Sequence, residues 1–199
     1  MEIIKEVSRE RARWLASIAE LRRGVGLKKG VLISLGLALL TGMSAQLRLP
    51  IPFSPVPITG QVFIVLLLGF IFGKEIGLGS QLFYVGLGGA GVPWFTGLSG
   101  GFTSLTGPTG GYILGFLPAI YLVGWLSESF ELKGISRQFL AGLAGLGVIY
   151  LFGSLQLSLF LNSGFSRTVS LGVLPFAWLD IGKVLLVSLV VKEFNPANP

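Results

Sequence analysis

IGLGSQLFYVGLGGAGVPWFTGLSGGFTSLTGPTGGYILGFLPAIYLVGWLS, residues 76–127, contains no charged side chain. The hydrocarbon core of a bilayer takes about 20 apolar residues per crossing helix, so this stretch holds two spans and a connecting loop. A soluble domain interrupts such runs, because roughly a quarter of its residues carry charge to cover its surface. Outward from it, Leu49 to Gly73 and Gln138 to Ser166 are uncharged as well. Across the 199 residues, 52% are hydrophobic, 12% are charged, and the mean hydropathy is +0.80. The reading is an all-α integral membrane protein, with the lipid bilayer as its first partner.

Six transmembrane helices fit: Gly30–Leu47, Thr59–Phe72, Gly77–Gly89, Gly110–Leu126, Phe139–Leu161 and Leu174–Val191. They make a membrane domain over residues 30–193, followed by a short tail, 194–199. Residues 1–29 form a separate cytoplasmic segment. Within it Ile3, Val7, Trp14, Ile18 and Leu21 fall near one helical face among Glu and Arg, which fits an amphipathic helix on the membrane surface or a solvated helical tail. Eight of the 15 Lys and Arg lie in these first 29 residues. With that segment inside, Lys74, Lys133, Arg137 and Lys192 join them, against only Arg48 and Arg167 outside. This bias predicts a multi-pass protein of the cell (plasma) membrane with both termini cytoplasmic.

The same clustering accounts for the net charge of +6 without nucleic acid. Absence of Cys and His excludes disulfides, thiolate zinc sites and His-based acid–base chemistry. Nothing in the sequence calls for a metal or a cofactor.

Asp180 and Lys183 are the only charged side chains within a span. A charge at the bilayer centre costs roughly 2.5–3.5 kcal/mol on insertion scales and marks a functional site by default. Three apart on a helix, the two face the same way. The carboxylate can accept hydrogen bonds from ligand N–H groups, and the ammonium can bind a carboxylate or carbonyl. The segment Ala90 to Pro108, on the outer side, is uncharged and combines five Gly with Trp94, Phe95 and Phe102. Flexible backbone beside aromatic rings suits a lid over a small molecule. Small residues recur every fourth position in three spans: Gly30, Ser34, Ala38 and Gly42; Gly111, Gly115 and Ala119; Ala141 and Gly145. Such stripes let helices approach closely in lipid. The first is the longest, and could serve either internal packing or an external partner helix.

Four stretches carry a family resemblance: PIPFSPVPITGQ (Pro50 to Gln61), GLGGAGVPWFTGLSGG (Gly86 to Gly101), LTGPTGGYILGF (Leu105 to Phe116), and the pair Asp180 and Lys183. From about Val31 to Val191 the chain resembles the BioY family, the biotin-specific substrate-binding (S) components of energy-coupling-factor (ECF) transporters; the first 29 residues lie outside the resemblance. It implies a six-helix S-component fold and high-affinity binding of biotin near the outer face, under a loop between spans three and four. It further implies a transmembrane scaffold subunit and two ATPase subunits as partners, with Ser34, Ala38 and Gly42 as the docking stripe. Asp180 resembles the family's ligand-binding Asp and Lys183 its companion. Ser99 stands where the family's loop often has a polar or basic residue. Tyr84, Trp94 and Tyr112 are candidates for the apolar wall, and Gln61 for a polar contact.

Two other classes fit the residues less well. A self-sufficient secondary transporter of a carboxylate-bearing molecule would couple to protons through Asp180, but a single ionisable pair and no evident inverted repeat disfavour it. An intramembrane enzyme would need a second acid, a nucleophile or a metal cluster beside Asp180.

Overall fold

The computed structural model describes residues 6, 10, 13, 16–22, 26–130 and 134–194. Helix α1 spans Leu27–Gln46, followed by β1 (Arg48–Leu49) and β2 (Ile58–Thr59), a two-stranded antiparallel pair. Then come α2 (Gln61–Gly89), α3 (Phe102–Thr106), α4 (Gly110–Ser129), α5 (Ile135–Leu161), α6 (Phe165–Gly172) and α7 (Leu174–Phe194). Five of these, α1, α2, α4, α5 and α7, are long and apolar enough to cross a membrane. In lipid the backbone must satisfy its own hydrogen bonds, which is why uniformly apolar runs of this length become helices. Of the segment expected to form an amphipathic helix, residues 16–22 are helical and Ile18 is buried. Ile3, Val7 and Trp14 lie outside the described residues, as do Lys133 and the tail after Phe194.

α2 is two helices joined at a reversal. Gly73 has φ 76° and ψ −174°, a region open essentially to glycine alone. Along a straight helix Gly69 and Gly77 would stand about 12 Å apart. Instead a Cβ on Gly77 would lie 3.8 Å from the Gly69 Cα. Gln61 and Tyr84, at the far ends of the two arms, are joined by a hydrogen bond. The arms therefore run antiparallel, with Gly73 at one end of the bundle. The first arm, residues 61–72, has no exposed residue and forms the middle of the molecule.

The reversal frees backbone groups that the bundle then satisfies. Arg22 donates from Nε to the Ile71 carbonyl at 3.0 Å and from Nη2 to the Phe70 carbonyl and to Ser127 Oγ. The Lys74 N–H donates to Glu128 Oε1 at 2.9 Å, and the Lys74 ammonium pairs with the same carboxylate at 3.4 Å. Gly124 of α4 lies directly on the Gly73–Lys74 backbone, where a Cβ would collide with it.

The small residues lie at the close helix crossings. Gly111 and Gly115 bring α4 onto Phe152 and Ile149 of α5, and Gly145 meets Val123 of α4 and Leu66 of α2. The stripe on α1 is also turned inward: Ser34 Oγ donates to the Ile76 carbonyl, Ala38 is wholly buried, and Gly42 is covered by Trp94. The residues α1 presents outward are bulky aliphatics such as Leu32, Leu39 and Met43. The stripe's small size serves the approach of α1 to the second arm of α2.

Gly73→Ala is expected to cost about 1–3 kcal/mol, since it places a side chain in a glycine-only conformation and against Glu128. Gly86→Ala, with open space around the added Cβ, is the matched control. Thermal unfolding in detergent separates them, and an equal midpoint for both variants contradicts the strained reversal.

Candidate functional site

The site lies at the end of the bundle opposite Gly73, above the first turn of α2. A cavity with about 520 Å³ of space free of protein atoms, counting its mouth, opens between the β1–β2 connection, α4, α5 and α7. Its wall is mainly aliphatic and aromatic, with Val62, Ile113, Phe116, Ile149 and Phe176 among the lining side chains. The polar groups converge on one side of it. Pro175 sits in the first turn of α7, where its missing N–H costs nothing. One to two turns further, Asp180 and Lys183 face the cavity.

Asp180 is 4% exposed and accepts two hydrogen bonds. Lys183 Nζ donates to Oδ1 at 2.6 Å, and the Tyr150 hydroxyl donates to Oδ2 at 2.7 Å. Lys183 also donates to the Thr59 carbonyl at 2.8 Å, tying α7 to β2. Counting valences shows what remains for a ligand. Each carboxylate oxygen keeps a lone pair, the ammonium keeps its third N–H, and the tyrosine oxygen can still accept. A ligand group that presents both an N–H donor and a carbonyl acceptor matches this set.

The loop between α2 and α3 closes one side of the cavity with Thr96. Thr96 Oγ1 donates to Gln61 Oε1 at 3.2 Å, and Gln61 Nε2 donates to the Tyr84 hydroxyl at 2.8 Å. The loop itself is pinned from α1. Gln46 Nε2 donates to the carbonyls of Trp94 and Phe95, and its Oε1 accepts from the Leu98 N–H. Phe95 plugs into the core edge-on to Tyr84, with ring centroids 5.2 Å apart. Gly97 has φ 77°, a backbone conformation that strains any other residue, and lies under the Arg48 guanidinium.

Of the residues singled out from sequence, Asp180, Lys183, Gln61 and Tyr112 line the cavity. Tyr112 does so with its ring, since its hydroxyl donates away to the Gly172 carbonyl at 2.7 Å. Tyr84 and Trp94 stand behind the wall: Tyr84 is fully buried, and the Trp94 indole donates to its carbonyl at 2.9 Å. Ser99 points elsewhere, donating to the Thr96 carbonyl and closing the loop's turn. Sequence reasoning missed Tyr150, Thr96 and the Thr59 carbonyl. For Tyr150 the available signal was a hydroxyl-bearing ring inside an otherwise uncharged span.

A protein-family model described as the BioY family matches residues 16–199. The chain belongs to the BioY family. The match begins within the N-terminal segment, earlier than the sequence motifs suggested. A biotin transporter BioY of Thermotoga maritima is 37% identical over 73% of this chain and 84% of its own length. A probable biotin transporter BioY of Pyrococcus horikoshii is 40% identical over 84% of this chain and 96% of its own. The crystal structure of an S-component for biotin from an ECF-type ABC transporter shares the fold, with a TM-score of 0.77 at 24% identity. That likeness covers 85% of this chain and 93% of that one. The chain is thus a multi-pass membrane protein of a transporter family, not an enzyme.

Lys183→Met is expected to destabilise the protein by up to about 3–5 kcal/mol, because it strands a buried carboxylate without its cation. Combining it with Asp180→Asn should recover part of that loss. Thermal unfolding of the two variants in detergent checks this, and a double variant no more stable than the single one contradicts the pairing.

Proposed function

We propose that this chain captures biotin at the outer face of the plasma membrane as the S component of an ECF transporter. Transport energy comes from two ATPase subunits acting through a transmembrane scaffold subunit. The carrying observation is the cluster of Asp180, Lys183 and Tyr150 at one side of an otherwise apolar cavity. The ureido ring of biotin has N–H donors for Asp180 and a carbonyl for Lys183. Because Lys183 Nζ and Asp180 Oδ1 are only 2.6 Å apart, both address the same end of the ligand. The apolar bicycle then meets the aliphatic wall, and the carboxylate tail points towards the mouth. The names of the relatives support this ligand.

In this reading α2 counts as two of six crossings, its reversal at the cytoplasmic face and the loop of residues 90–101 outside. That topology puts both termini in the cytoplasm and agrees with the distribution of Lys and Arg.

Calorimetry on detergent-purified protein is the test. Wild type is expected to bind biotin at micromolar concentration or tighter. Asp180→Asn loses a charge-assisted acceptor, about 1.5–3 kcal/mol, and should bind roughly tenfold or more weakly. Arg167→Ala, an exposed change on α6, should leave affinity within about twofold. Folded wild type without biotin binding sinks the proposal, and equal binding by both variants removes Asp180 from the site.

A further inference from the structure

The N-terminal segment is joined to the membrane domain at a point that the ligand site does not explain. Arg22 is half-buried and reaches three acceptors, the carbonyls of Phe70 and Ile71 and the hydroxyl of Ser127. The two carbonyls are among those left without helical partners where the first arm of α2 ends at Gly73. Across the reversal, Glu128 takes the Lys74 N–H that opens the second arm. One side chain thus caps the arm that ends, and another caps the arm that begins. Burial lowers the pKa of the Arg22 guanidinium while Glu128 raises it, and an arginine stays charged in any case.

The two arms run side by side from this point towards the ligand site. The first arm ends at Gln61, which lines the cavity; the second carries Tyr84, which holds Gln61 and the closing loop. From Gly73 to Gln61 the helical rise is about 18 Å, so a turn of about 6° at the reversal moves Gln61 by about 2 Å. That displacement breaks the 2.8 Å bond between Gln61 and Tyr84. It also removes the acceptor that Thr96 of the loop uses.

We infer that Arg22 is a positioning residue: clasped on the Gly73 reversal, it fixes the angle between the arms of α2 and so holds the cavity and its loop in register from the opposite face. The inference rests on the proposed binding site and adds a lever to it. Whatever displaces the N-terminal segment at the cytoplasmic face, a partner subunit included, loosens the ligand at the outer face.

Hydrogen exchange on full-length protein in nanodiscs, without ligand, reads the lever directly. Arg22→Ala is expected to speed exchange by roughly two- to thirty-fold, both at residues 70–75 and at residues 94–99 on the far side. Arg22→Lys keeps the charge but lacks the fork that spans two carbonyls, and should fall between. Faster exchange confined to residues 70–75, or no change, overturns the inference. Biotin dissociation supplies the second readout. Arg22→Ala should accelerate it by a similar factor, and should add nothing in a Gln61→Leu background, where the lever's far contact is already gone. Equal acceleration in both backgrounds makes Arg22 a general support and also overturns the inference. Should Arg22→Ala fail to fold, Arg22→Lys carries both measurements. If folded wild type binds no biotin, the proposed function falls while hydrogen exchange still decides the clasp.

Discussion

Backbone that leaves helical geometry within or at the edge of a bilayer must find most of its hydrogen bonds in the protein, because lipid offers none. That constraint organises this molecule. At Gly73 the freed groups go to Arg22, Glu128 and Ser127. At the other end, the turns of residues 90–101 are met by Gln46, by the Gly88 carbonyl and by bonds within the loop. The helices between these ends have no such debt, and are free to be almost uniformly apolar and to pack through glycine.

The charged pair follows a related rule. Asp180 and Lys183 are tolerable within a span because each has several partners, and the attraction between them offsets part of the cost of leaving water. Tyr150 and the Thr59 carbonyl complete the set. A pair built only for packing could bury all of its valences. This one leaves several unfilled beside an open cavity, as the proposed binding role requires.

Much of this was legible in the sequence. Helix ends fell where Gly, Pro and charges interrupt apolar runs, as at Gly89, Gly110, Leu161 and Leu174. The break between the arms of α2 showed in the charges Lys74 and Glu75 after Gly73. The charged pair announced itself by its cost. What stayed hidden was rotation about the helix axes. Spans that are apolar all round do not say which side chain faces a cavity, so Tyr84 and Trp94 were assigned to a wall they stand behind. The stripe on α1 signalled close approach but not to which neighbour. Tyr150 has its partner thirty residues away in sequence, and Arg22 looked like one more of the cations at the membrane surface.

The first arm of α2 has a further consequence. It occupies the centre of the bundle, yet its twelve or so residues rise only about 18 Å, against a hydrocarbon core of about 30 Å. The shortfall equals roughly two helical turns, and the cavity stands where those turns would be. The chamber is a stretch of helix left out, roofed by the Pro-rich connection between β1 and β2. Its size is set by where a central helix begins, so a single residue added before Gln61 would raise the floor by about 1.5 Å and swing it by about 100°. The volume of this chamber is therefore tied to the starting point of one helix as well as to the side chains of the wall.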